Sequence, residues 1–151
     1  MSMDKVLPLL IEGAETARDR QAQALAQAQR AIAAAHATLQ RLTDFRAGCI
    51  ARSPAATLAR ADGESLSAHH LFLGRLDQAI AVQHEEIAAC EREAQAQHAK
   101  LLACQQRVLA LDTLRQRRLR ERETRAGRKA QRDADEFAAR ALLRARQEAT
   151  P

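Results

Sequence analysis

From Leu73 onward, apolar or small residues recur at alternating steps of three and four: Leu73, Leu76, Ile80, Ile87, Cys90, Ala94, Leu101, Cys104, Val108 and Leu111. That spacing keeps one stripe of a helix facing a partner helix, the pattern of a coiled coil. In the same register the chain then places Arg115, Arg118, Arg122, Arg125, Lys129 and Arg132. The stripe turns from apolar to cationic while the helical composition continues. A cationic stripe cannot be the inside of a helix pair, so it is expected to leave its own partner and face another molecule.

The composition supports long helices. Ala, Leu, Arg, Gln and Glu dominate, the strong helix formers, and the chain holds three Phe with no Trp or Tyr. Large aromatic side chains carry much of the buried area of a compact core. A chain this poor in them is an all-α coiled coil before it is a globule. The net charge is +5, yet Arg115 to Arg132 alone carries nine Lys/Arg against two Asp/Glu. The basicity is therefore local, which points to an acidic partner surface.

A second stripe runs through Ile11, Ala14, Arg18, Gln21, Leu25, Ala28, Ile32, Ala35, Leu39 and Leu42, with Phe45 and Cys49 following. Polar Arg18 and Gln21 within it can fix register at some cost in stability. Pro8 suits a first helical turn, and the residue before Pro54 is pushed out of helical geometry. These signals predict helix 1 over about 8–52. Ser53-Pro54 and Asp62-Gly63 mark a connecting loop over about 53–66. Helix 2 covers about 67–147, with Ser67 as its N-cap.

A short connection makes such helices fold back on each other. The expected architecture is one antiparallel two-helix hairpin over residues 1–151, its turn centred near Thr57 to Arg60. Leu42 then faces Leu76, and Leu39 faces Ile80. Helix 1 runs out near Leu111, where the stripe of helix 2 becomes arginine. Helix 2 should overhang unpaired from about 115, on the order of 50 Å at the usual helical rise. Within that overhang Ala134, Phe137, Ala138, Ala141, Leu142 and Ala145 form an apolar stripe. A lone helix with a basic collar and an apolar tip suits a groove or sleeve of another protein. At the turn end, Phe45 and Phe72 are too large for two thin helices to bury, which suggests a second contact surface.

Catalytic and cofactor signatures are missing. There is no phosphate-binding glycine loop and no nucleophile with a recognisable base. No two of His36, His69, His70, His84 and His98 have the helical spacing of a metal pair. Three cysteines without a C-x-x-C pattern argue against a disulfide framework or a zinc site, and they fit a reducing cytosol. No signal peptide or membrane-spanning stretch is expected. The reading is a non-enzyme without cofactor or metal.

Three segments resemble the FliJ family of the flagellar type III export apparatus. One is Leu71-Phe72-Leu73-Gly74-Arg75-Leu76-Asp77-Gln78-Ala79-Ile80, followed by Gln83. The second is Arg128-Lys129-Ala130-Gln131-Arg132-Asp133-Ala134-Asp135-Glu136-Phe137-Ala138-Ala139-Arg140. The third is Leu42-Thr43-Asp44-Phe45, where the family often carries Tyr in place of Phe45. Cys49 departs from the family, which often has an aromatic there. The resemblance covers essentially the whole chain.

It implies the coiled-coil stalk of a bacterial protein-export machine involved in flagellum biogenesis and motility. The family inserts in the hexameric export ATPase FliI, promotes ring formation, links the ring to the export gate protein FlhA and handles export chaperones. Carried over, Arg115, Arg118, Arg122 and Arg125 would form the collar in the ring, with Phe137 and Leu142 at its tip. Leu42, Phe45, Phe72, Leu76, Ala79 and Gln83 would meet the gate. The implied location is the cytoplasmic face of the flagellar basal body, without membrane insertion.

Two alternatives stand beside this reading. One is the equivalent YscO-like stalk of a virulence type III system, from which Asp135-Glu136-Phe137-Ala138 tips the choice. The other is a basic nucleic-acid-binding helix, for which the run lacks interleaved aromatics for base stacking.

Overall fold

The computed structural model describes residues 2–52 and 63–150. It holds two α-helices, α1 (Met3–Ala51) and α2 (Gly63–Ala149). The fold class is the all-α two-helix hairpin expected from the two heptad stripes. The Ser53-Pro54 stop and the turn centre near Thr57 to Arg60 lie outside the described residues.

The helix ends differ from expectation. α1 begins at Met3, five residues before Pro8. A proline this near an N-terminus forfeits one helical bond, the one its missing amide would give to the Asp4 carbonyl. Burial of Leu7, only 4% exposed, offsets part of that loss. The Lys5 amide donates to the Ser2 carbonyl at 3.1 Å and closes the first turn. α2 begins at Gly63, so Ser67 lies inside the helix rather than capping it. Glu64 in the first turn complements the positive end of the helix dipole there. At the end of α1, the Arg52 amide (3.1 Å) and Nε (3.3 Å) both donate to the Gly48 carbonyl, satisfying an acceptor the helix leaves open.

The chain divides into two compact units, Glu15–Gln105 and Met1–Ala14 with Gln106–Pro151. In Glu15–Gln105 the helices run antiparallel. Contacts descend α1 as they ascend α2: Arg46 with Asp77, Ala35 with Gln83, and Gln21 with Gln97. Ala28, Ala35, Leu76, Ile87 and Ala94 are buried. Small residues dominate because two bare helices bury most when their backbones approach closely.

The register depends on three amides. Gln83 and Gln97 fill the gaps that the apolar stripe leaves between Ile80 and Ile87 and between Ala94 and Leu101. Gln83 Nε2 donates to the Ala35 carbonyl at 2.9 Å. Gln21 Nε2 donates to the Gln97 carbonyl at 3.2 Å and closely to its side-chain oxygen. A half-buried amide without a partner costs about 1–3 kcal/mol. A slipped register would strand the Gln21 and Gln83 amides, whereas Gln97 keeps its own bond to Glu93 at 2.7 Å.

In the other unit, Leu7, Ile11 and Ala14 are the buried residues. Arg118 is the last residue of α2 that is not fully exposed; 119–150 are open to solvent throughout. The expected overhang from about 115 is therefore displaced. Pairing persists through Arg122, which bonds Asp4. The extra turn of α1 before Pro8 supplies that partner.

Truncating Ile87 to Ala should lower stability by about 2–5 kcal/mol, since Ile87 is a large buried side chain in a seam of small ones. Ile50, which is exposed, should tolerate the same change within about 0.5 kcal/mol. Urea melts followed by circular dichroism check both. Equal shifts for the two variants would refute the seam as described.

Candidate interaction surfaces

The arginine face lies in the unit formed by the first turns of α1 and the end of α2. Of its expected collar, Arg115 is engaged by Asp112 three residues earlier on its own helix. Arg118 and Arg122, one helical turn apart, converge on a single carboxylate. Arg118 Nη1 lies 3.6 Å from Asp4 Oδ1, and Arg122 Nη2 is in close contact with the same oxygen. Arg125 forms no ion pair among the described residues, and it lines a polar cleft with Asp4, Glu121 and the two converging arginines. Beside it, Leu7, Pro8 and Leu119 floor a second cleft of about 360 Å³ rimmed by the same cations. The collar is therefore two engaged arginines, one locally paired and one open.

Asp4 was invisible as a functional residue while helix 1 was taken to start at Pro8. The signal was nonetheless present. Asp4 stands three residues before Leu7 and seven before Ile11, on the same stripe.

Farther along α2, Phe137 is 77% exposed, with Leu142 also open. Leu143, which the spacing argument passed over, is equally bare. Local pairs lace this lone helix. Gln131 Nε2 donates to Asp135 Oδ1 at 3.0 Å, and Arg140 Nη2 to Glu136 Oε1 at 2.7 Å. Pairs at this spacing support an isolated helix by about 0.2–0.5 kcal/mol each. Among the described residues nothing covers this stripe.

In Glu15–Gln105, Phe45 and Phe72 meet edge to face with ring centroids 6.1 Å apart and planes at 80°. They are 50% and 43% exposed. Leu42 is half-buried and Ala79 exposed. Two other members of the expected gate patch do not present a surface. Leu76 is 8% exposed and belongs to the seam. Gln83 has its amide committed to the Ala35 carbonyl. Both sit on the inward stripe that alternates by three and four, so their chemistry is spent on the hairpin. Leu71, 60% exposed beside Phe72, joins the patch in their place. Arg46 Nε donates to Asp77 Oδ1 at 2.5 Å. The hydrogen bond and then the charge of Asp77 raise the Arg46 pKa.

The three cysteines are free and half-buried. Burial, then the charge of Glu86 and a hydrogen bond to it, push the Cys90 thiol above its ordinary pKa. Among the described residues no group of three or more His, Cys, Asp or Glu is placed to hold a metal ion. Among them, too, no helix is long and apolar enough to cross a membrane.

A family model described as flagellar FliJ protein matches residues 3–147 of the 151. No curated protein and no solved structure matches the chain.

Two measurements check this geometry. A double-mutant cycle of Phe45→Ala and Phe72→Ala should give a coupling of about 0.5–1.5 kcal/mol in urea melts; additive losses would mean the rings do not meet. Cys90 is kept protonated by the fold, so its stabilising contribution is full below the unfolded thiol pKa and is lost as pH rises through the raised folded value. Between about pH 7 and about pH 10 the wild type should therefore lose more stability than Cys90→Ala, with the other thiols common to both. An identical loss would contradict the raised pKa.

Proposed function

Because this chain belongs to the FliJ family of flagellar proteins, we propose that it acts as the central stalk of the flagellar type III protein export ATPase. Membership places it generally with the flagellar export apparatus. The finer reading is our own. The end of α2, from the arginine face of Arg115, Arg118, Arg122 and Arg125 to the tip at Phe137 and Leu142, enters the hexameric ATPase FliI and promotes ring assembly. The aromatic patch engages the export gate protein FlhA, and the protein takes part in handling export chaperones at the cytoplasmic face of the basal body.

One observation carries the reading: residues 123–150 form helix without any covering element, and they present Arg125, Arg128, Lys129 and Arg132 followed by Phe137 and Leu142. A helix that keeps its order while leaving cations and large apolar groups open is shaped for insertion into another protein. Charge complementarity would speed entry into an acidic sleeve, and burial of Phe137 and Leu142 would hold it. The paired Phe45 and Phe72 give the gate surface a rigid aromatic anchor with little side-chain entropy left to lose.

The first test is ATP hydrolysis by the export ATPase, with hexamer fraction measured alongside, in the presence and absence of this protein. Stimulation with more hexamer is expected. Replacing Arg125, Arg128, Lys129 and Arg132 by Glu should cut apparent affinity for the ATPase at least tenfold while circular dichroism of the hairpin changes little. Phe45→Ala with Phe72→Ala should weaken gate binding in calorimetry and leave ATPase stimulation intact. Unchanged ATPase affinity in the charge-reversed variant would remove the basis for the ring assignment, and unchanged gate affinity would remove the patch.

A further inference from the structure

The contact between Asp4 and the two arginines has more cation than anion. One carboxylate oxygen faces both Arg118 and Arg122, and Arg125 lines the same cleft without an ion pair among the described residues. All three members of the contact are water-accessible, with side-chain exposures of 48% for Asp4, 37% for Arg118 and 54% for Arg122. An exposed pair of this kind shifts an equilibrium by no more than about fivefold. The contact is therefore easily exchanged for another carboxylate.

The backbone holds the same segment by one bond fewer than a regular helix would. Pro8 has no amide to give the Asp4 carbonyl, so the helical ladder lacks a rung at the residue that carries the carboxylate. Leu7, just before Pro8, is the buried anchor of this turn. The stretch before it, Met3 to Val6, carries Asp4 as its only anion.

We propose that the first turn of α1 is a built-in competitor, in which Asp4 occupies Arg118 and Arg122 as a stand-in for the carboxylate of an acidic partner segment that must displace it. This rests on the reading of the arginine face as a partner contact, and it adds a threshold to that contact. A weakly acidic surface meets that competition, up to about fivefold, before it reaches the arginines. A partner that offers two or more carboxylates along one helical turn satisfies both arginines, which Asp4 alone does through a single oxygen. Nonspecific association of the cationic face with anions is reduced by the same means.

The test uses the full chain and its Asp4→Asn variant, which keeps size and removes charge. Labelled hexaglutamate at low ionic strength is one probe, and the hexameric export ATPase is the other. D4N should bind hexaglutamate about two- to fivefold more tightly than wild type, and this gain should vanish when Arg118→Gln and Arg122→Gln are added. Equal or weaker binding by D4N overturns the proposal. So does a failure of hexaglutamate to bind either protein, because a released arginine pair must accept a carboxylate. A gain on hexaglutamate with no ATPase binding by any variant keeps the competitor and removes the stalk reading. ATPase binding with no D4N gain on either probe does the reverse.

Discussion

Two helices alone offer each other one stripe apiece and have no third element to cover what remains. Everything in this protein follows from that shortage of covering surface. Alanine at positions 28, 35 and 94 brings the backbones together, and among the described residues of the Glu15–Gln105 unit only Leu76 and Ile87 add large buried side chains. A seam so poor in bulk specifies its alignment weakly by hydrophobic fit. Glutamine supplies what size does not. Gln21 and Gln83 donate across the seam in this alignment, so polar satisfaction favours the register that apolar contacts merely permit.

The same shortage decides which residues become functional. A ring the size of Phe45 or Phe72 cannot enter a seam built for alanine, so the pair is displaced outward and meets edge to face. Past Arg122 the shortage is complete, and Phe137 and Leu142 have nothing to pack on. In a larger protein such groups would be core. Here they stay exposed, and the proposed function uses them as contact surfaces.

Much of this was legible from spacing. The stripe of α1 from Ile11 to Leu42 is the inward face, and pairing Leu42 with Leu76 anticipates the alignment that joins Ala35 to Gln83 and Gln21 to Gln97. What spacing missed has a common cause. Reading the stripe as apolar skipped Gln83 and Gln97, although the three-four alternation requires both. Treating Pro8 as a start signal removed Asp4, because the cost of one lost bond was weighed without the burial of Leu7 that offsets it. Leu76 and Gln83 were assigned outward on resemblance, while their own heptad positions already turned them inward. The arginine collar was read as unanswered for the same reason that Asp4 was overlooked.

The uncovered end of α2 has a consequence for how any partner would hold it. Over 123–150 the helix rests on local pairs such as Gln131 with Asp135 and Arg140 with Glu136, whereas Glu15–Gln105 is held by burial across a seam. Without a seam to hold it, the helix content of such a segment falls with temperature. The fraction of molecules presenting Phe137 and Leu142 in line is thus a thermal quantity, and apparent affinity is scaled by that fraction. Warming would weaken engagement through the insert itself well before the seam melts, making the grip of this segment a property of its own helix–coil balance.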